Sequence, residues 1–383
     1  MTPVTPTVPA PSPASPSTAR AVNDRLALRL LQDQGPLTAA QLKTLTGLSR
    51  PSVADLVDRL AAAGMIKVVG ESGVQRRGPN ARLYGIVARR AFLAALDVRT
   101  DSATAVVTDL VGQPLTRTPL PVDAPEAAVA ELRRAAREVG AAELHTVAVG
   151  APGLVSPATG ELRDTSGLPA WHRELVAALQ RELPARILVE NETNLAAVAE
   201  QHCGVARNLD SFVLLWLGAG VSATVVLDGR LRRGASGGAG EIGFLPVPGT
   251  AGLPSATDCG GGFHALAGRE AVASLAAEHG FAGPVEEAVA GAAGEAFLEA
   301  LAERLALGAA AVAAVLDPGC VVLGGELGLA GGPALAARVA TRLSALTPVP
   351  TEVRATTLGG DAVLEGARLS ARDAAREALL GGR

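Results

Sequence analysis

LTAAQLKTLTGLSRPSVADLVDRLAAAGMI, Leu37 to Ile66, reads as two short helices joined by a tight turn. Thr38 is placed to cap a first helix that carries Leu42 and Leu45 inward, Gly47 supplies the turn, and Ser49 caps the second helix. In that second helix Val53, Leu56, Val57 and Leu60 follow the i, i+3, i+4, i+7 spacing of one buried face. Pro51 falls in its first turn, where a missing N–H costs little. The outward positions near its start are Ser49, Arg50 and Ser52, then Asp55 and Arg59. This is the pattern of a helix-turn-helix, whose second helix brings short polar and arginine side chains to base edges in the major groove. A plain helical hairpin has the same periodicity, so the next segment of the chain decides between them.

After Gly64 come two short apolar runs, Ile66 to Val69 and Leu83 to Ile86, flanking a loop rich in glycine and arginine. This is expected to be the β-hairpin wing of a winged helix, with Arg76, Arg77 and Arg82 facing phosphates or a minor groove. Charge supports that reading over a merely solvated loop. Residues 20–90 hold 12 Lys+Arg against 5 Asp+Glu, a net +7. The whole chain has 34 against 38, which leaves 22 against 33, or −11, for the rest. A basic module on an acidic body is the footprint of a head that binds duplex DNA.

Composition bounds the remainder. A chain of 383 residues holds about two or three domains, and 48% apolar residues suffice for their cores. Three cysteines at wide spacing, Cys203, Cys259 and Cys320, form neither a disulfide framework nor a metal knuckle. Residues 1–19 lack the basic start and apolar run of a signal peptide and are expected to be a disordered tail. The most apolar helix candidate, 305–316, is too short to span a bilayer, so a soluble, cytoplasmic protein without a membrane partner is expected. The expected boundaries are 1–19 for the tail, 20–90 for the DNA-binding head and 91–383 for the body.

In the body, short apolar runs recur at 92–98, 104–110, 146–153, 186–191, 212–220, 223–229 and 320–325. Helical stretches lie between several of them, at 124–138, 174–182, 295–315 and 333–346, which gives an α/β body with mixed sheets. The first two runs pair as a hairpin around Thr100 to Ser102.

Six segments then occur in order: VAVGAPGLVSPATGEL (147–162), LPAW (168–171), VENETNLAAVAE (189–200), the long run 204–244 ending in GAGEIGF, LDPGCVVLGG (316–325) and GGDAVLEGA (359–367). Together they resemble the ROK family of sugar kinases and sugar-responsive repressors. The resemblance implies an actin-like, ribonuclease H-like body of two lobes. One lobe takes about 91–200 plus the C-terminal helix, the other about 201–365. The N-terminal winged helix is similar to that of the repressor branch.

Departures from the family pattern bear on chemistry. The resemblance puts Glu192 where the kinases hold a catalytic Asp, one methylene longer in a site where an ångström matters. The first phosphate loop, D-I-G-G-T in the family, reads Asp97-Val-Arg-Thr-Asp, without the glycines that let backbone N–H groups approach phosphate. In the second loop Ala219 replaces a Thr, and Ser222, Ala223 and Thr224 are expected to add side chains over the phosphates. Phe244 stands where the family has a zinc-binding His, and only Cys259 remains of its cysteines. Since one thiolate cannot close a four-ligand site, no structural metal is expected. No catalytic residue and no cofactor is expected either. The resemblance leaves Glu190, Asn191, Glu192, Glu241 and His264 as the effector-binding set, with His264 equally readable as a packed side chain. Gly167 replaces a sugar-contacting Asn.

The sequence therefore points to a transcription regulator, a repressor of carbohydrate-related genes that binds a palindromic operator as a homodimer or homotetramer under control of a sugar or sugar phosphate. Two other readings stay open at this point: a sugar kinase with an appended DNA-binding domain, and a ligand-independent DNA-binding regulator.

Overall fold

The structure is a computed structural model that describes residues 16–72, 81–163, 169–250, 252–255 and 260–381. The chain divides into two compact units.

The smaller unit gathers the chain up to Ala91, the segment Asp109–Gln113 and the chain from Asp373 onward. Its first helix, Pro16–Gln34, begins inside the stretch whose composition marked it as tail. Ala27, Leu28 and Leu31 on that helix are buried, an apolar stripe in a part of the head for which no helix was expected. Thr38 then forms a full capping box with Gln41 at the start of the helix Ala39–Thr46, and Gly47 ends it in the left-handed conformation. Leu42 is buried as expected. Leu45 is not: it is 41% exposed, because an eight-residue helix has one buried stripe and Leu45 lies off it. Ser49 caps the second helix, Arg50–Ala62, which buries Val53, Leu56, Val57 and Leu60. A three-stranded sheet closes the unit, with Ala81–Ile86 between Leu37–Thr38 and Ile66–Ser72. Arg76 and Arg77 lie outside the described residues.

The larger unit holds two five-stranded sheets with the same strand order. Numbered along the chain within each sheet, both run 3-2-1-4-5. The first sheet is built from Phe92–Val98, Ala103–Asp109, Pro114–Leu120, Thr146–Ala151 and Arg186–Asn191; the second from Phe212–Leu217, Val221–Leu227, Arg230–Arg232, Cys320–Gly324 and Glu352–Ala355. Strands one, four and five are parallel in each, and Phe212–Leu217 and Thr146–Ala151 are buried along their full length. The helices repeat as well: Pro125–Glu138, Trp171–Glu182 and Glu192–His202 come after strands three, four and five of the first sheet, and Glu295–Leu316, Gly325–Leu346 and Ala362–Gly381 after those of the second.

In the larger unit three described strands escaped the sequence pattern. Pro114–Leu120 contains two prolines and is tolerated because it is the edge of its sheet. The other two, Arg230–Arg232 and Glu352–Ala355, are also edges and only three and four residues long. The helix expected from 333 starts at Gly325, with a break at Gly332, where φ is +51° before Pro333.

Candidate functional site

The candidate nucleic-acid face is set by the start of the helix Arg50–Ala62. Ser49 accepts from the Ser52 backbone N–H at 3.3 Å, and the two hydroxyls lie 2.8 Å apart, so both serines help fix the first turn. Arg50 and Ser52 are exposed, as is Arg82 on the wing strand, and Arg50 makes no ion pair among the described residues. Arg59 behaves differently. Its Nη2 meets Asp24 of the first helix at 2.6 Å, and its Nη1 pairs with Asp55. Asp24 is only 14% exposed, so Arg59 ties the recognition helix to the first helix and is not a free contact for DNA. Its pairing with Asp24 holds its pKa above the ordinary arginine value. Arg59→Ala leaves a partly buried carboxylate alone, which is expected to cost the head about 1–2 kcal/mol, between an exposed pair and a buried one. Thermal unfolding followed by circular dichroism reads this; an unchanged melting curve would show the pair to be ornamental.

In the larger unit the expected effector residues lie at the end of the strand Arg186–Asn191, at the start of the helix Glu192–His202, in the turn before Ile242–Phe244 and at His264. Asn191 ends a strand of the first sheet and caps the helix Glu192–His202. Its Oδ1 accepts from the backbone of Thr193 and Asn194, and its Nδ2 donates to the Gly153 carbonyl at 3.0 Å. Glu190 accepts from the Asn191 N–H at 3.0 Å, from Asn194 Nδ2 at 2.8 Å and from Arg233 Nε at 2.6 Å. Both side chains are therefore occupied in holding motif segments to one another. Sequence reasoning missed Arg233, whose placement opposite Glu190 depends on how the loop after Arg230–Arg232 folds back.

Glu241 remains open. It is half-buried, makes no side-chain hydrogen bond among the described residues, and burial holds its carboxyl above the usual range. The turn bearing it hangs on the second sheet, where the Ala223 N–H donates to the Gly240 carbonyl at 2.7 Å. Only glycine fits at 240: φ is +95°, and a Cβ would come within 1.8 Å of the Ala223 carbonyl oxygen. His264 stands edge-on to Phe244, ring centres 5.4 Å apart, and its Nε2 lies 2.2 Å from where a Cβ on Gly243 would be. It is packed over that turn, and burial lowers its pKa.

Glu192 lies in the first turn of its helix. Burial, reinforced by the charges of Asp97, Glu326 and Glu241 and opposed by Arg99, pushes its carboxyl up to about 8. A carboxyl raised in this way is suited to hydrogen bonding with a ligand oxygen.

The two loops that resemble phosphate loops both depart from the family pattern. Arg99 occupies the position of the first family glycine, and its guanidinium reaches Asp97 at 2.9 Å and Glu326 at 3.0 Å. Burial raises the Asp97 pKa and Arg99 opposes it. The other oxygen of Glu326 lies 3.2 Å from where a Cβ on Gly218 of the second loop would be. The turn of that loop is only Gly218-Ala219-Gly220, so Ser222, Ala223 and Thr224 already lie within the strand Val221–Leu227. Thr224, expected over the phosphates, is instead fully buried and bonds Asn194 Oδ1 at 3.1 Å and Thr193 Oγ1 at 3.2 Å. Among the described residues no group of three His, Cys, Asp or Glu side chains is placed to hold a metal ion. Cys259 and Gly167 lie outside the described residues.

Comparison with known proteins agrees with this geometry. A profile of the ROK family matches residues 93–374, and one of the MarR family matches residues 22–78. The bifunctional enzyme NanE/NanK of Brucella suis is 36% identical over 155 residues, 39% of this chain and 28% of that protein. The DNA-binding transcriptional dual regulator NagC of Escherichia coli is 26% identical over 238 residues, 59% of this chain and 57% of its own. The chain thus spans well under two thirds of either relative's length. Among solved structures, a ROK family transcriptional regulator homologous to the Escherichia coli MLC protein superposes with a TM-score of 0.77 at 19% identity, over 95% of this chain and 98% of that one. The fold is an N-terminal winged helix-turn-helix joined to an actin-like body, and with a family profile covering most of its length the chain belongs to the ROK family.

Proposed function

We propose that this protein is a transcription regulator of carbohydrate-related genes, a repressor that binds a two-fold operator as a homo-oligomer. The observation that carries the reading is the pairing of an exposed Ser49–Arg50–Ser52 helix start with a kinase-like body whose first phosphate loop carries Arg99 in salt bridges to Asp97 and Glu326. A basic head supplies DNA affinity through phosphate neutralisation. Arg99, committed to Asp97 and Glu326 where the family loop carries a glycine, puts a side chain where backbone N–H groups would meet a phosphate. The family resemblance to NagC supports the same reading.

The effector in this reading is a carbohydrate that meets Glu241 and Glu192, while Glu190 and Asn191 hold the neighbouring segments in place. A ligand shifts operator affinity only by its differential affinity for two arrangements of the body, typically about 1–3 kcal/mol.

The likeness to NanE/NanK keeps one second reading in view, a sugar kinase with a DNA-binding head. The experiment that separates them is genome-wide mapping of bound DNA, followed by titration of the recovered fragments with a sugar and sugar-phosphate library and by an ATP-coupled assay on the same sugars. Operator binding that a sugar shifts, a response that Glu241→Ala abolishes, and no phosphoryl transfer above background are the expected outcome. Turnover that disappears in Glu192→Gln would establish the kinase instead.

A further inference from the structure

Three segments distant in sequence meet at one side chain. Arg99 sits in the turn after Phe92–Val98, and its backbone is fixed on both sides. Its N–H donates to the Ser102 carbonyl at 2.8 Å, and its carbonyl accepts from Nε2 of the buried His172 at 2.9 Å. The guanidinium then places its donors on three anchors: Nε on Asp97 at 2.9 Å, Nη1 on Glu326 at 3.0 Å and Nη2 on the Gly360 carbonyl at 2.7 Å. Asp97 belongs to the first sheet. Glu326 begins the helix Gly325–Leu346 of the second half, and Gly360 lies in the turn before Ala362–Gly381. A parallel tie runs beside it, from Arg117 on the edge strand to Asp361 at 2.9 Å.

The chemistry makes this contact more than a surface pair. Asp97 is 5% exposed, and its Oδ1 has no hydrogen-bond partner among the described residues, so Arg99 alone compensates its charge there. A planar guanidinium with rigidly forked donors is the side chain that can serve three acceptors in three directions; a lysine ammonium on a flexible stem cannot hold that geometry.

We propose that Arg99 is a latch between the two halves of the body: one guanidinium holds them together, and releasing it changes the affinity of the head for its operator. The second clause rests on the proposed DNA-binding function. It derives from the course of one helix. Ala362–Gly381 starts directly after the Gly360–Asp361 anchor, and its later residues belong to the smaller unit. There Arg376 donates to Gln32 and Glu377 pairs with Arg25, both on the first helix.

Hydrogen exchange on the full-length protein tests the latch. Arg99→Ala is expected to speed exchange about tenfold or more in the start of Gly325–Leu346 and in 356–361, while the buried strand Phe212–Leu217 keeps its protection. Glu326→Gln, a milder change, is expected to act on the same two segments, and the double variant to add little, since both remove one interaction. Unchanged exchange, or faster exchange spread equally over all strands, would overturn the latch. Arg99→Lys is expected to restore protection only in part. On operator fragments that the wild type binds, Arg99→Ala is expected to shift affinity about fivefold or more. Local exchange that changes without any shift in affinity would overturn the regulatory clause. A wild type that binds no DNA would refute the proposed function and leave the exchange result standing.

Discussion

Gly366→Ala is expected to destabilise the larger unit by about 3 kcal/mol, a fall in Tm of about 6–10 °C for a unit of this size. In an exposed helix the same change would stabilise by about 1 kcal/mol, because alanine is the better helix former. Here the sign is reversed by contact. Gly366 lies in Ala362–Gly381, and a Cβ at that position would come 1.8 Å from the Leu195 carbonyl oxygen and 2.9 Å from its Cα. The obstacle is backbone in a buried stretch of Glu192–His202, which cannot swing aside as a side-chain tip can. The two helices must therefore separate, which also loosens the packing of Val363 and Leu195 over Gly150, where a Cβ would meet both within 2.8 Å. Scanning calorimetry measures the effect. A neutral or stabilised variant would show that the helices tolerate an extra methyl's width and that the close approach carries no energetic weight.

Arg50→Ala is expected to weaken specific operator binding about 10–100-fold, or about 1–3 kcal/mol, and to relax selection at one operator position. Availability singles out Arg50. Arg50 is exposed at the first turn of the recognition helix, and the Ser49 cap fixes where that turn begins. Arg59, nine residues on, is taken by Asp24 and Asp55. An arginine free in the apo protein can commit its forked donors to a guanine edge without first breaking an ion pair. Titration of fragments carrying each base at each operator position, at two salt concentrations, separates base reading from phosphate contact. A uniform loss across sequences with a salt slope smaller by about one would reassign Arg50 to the backbone. Undiminished affinity would remove it from the interface.

Much of the fold was legible because its signals are local. Capping residues, a turn glycine and a helical apolar stripe lie within a few residues of one another, and they located the helix-turn-helix with its caps. The strands of the body were legible for the same reason where they are central and apolar, and illegible where they are short polar edges. Site residues obeyed a different rule. Glu190 and Asn191 were found by motif, yet their partners, Arg233 and the Gly153 carbonyl, are 43 and 38 positions away, and pairing of that kind leaves no periodic trace. Arg99 was visible only as a lost glycine; that it gains three anchors depends on Glu326 and Gly360, 227 and 261 positions on. Arg59 shows the converse. Its outward place on the helix was correct, but Asp24 lies in a first helix, Pro16–Gln34, that the sequence reading did not include.

The smaller unit is made from segments on both sides of the body. Helix Pro16–Gln34 and the winged motif leave the ribosome before the body, while the residues from Asp373 that join them leave after it. At a synthesis rate of about 5–20 residues per second, some 280 residues of body separate the two events, so the head waits on the order of 14–60 seconds for its final piece. Gln32 meanwhile lacks Arg376, and Arg25 lacks Glu377. A message truncated anywhere in the body therefore yields a chain whose reading head has never been completed. The contacts that Gln32 and Arg25 make with the helix Ala362–Gly381 are thus the last of the smaller unit to form during synthesis.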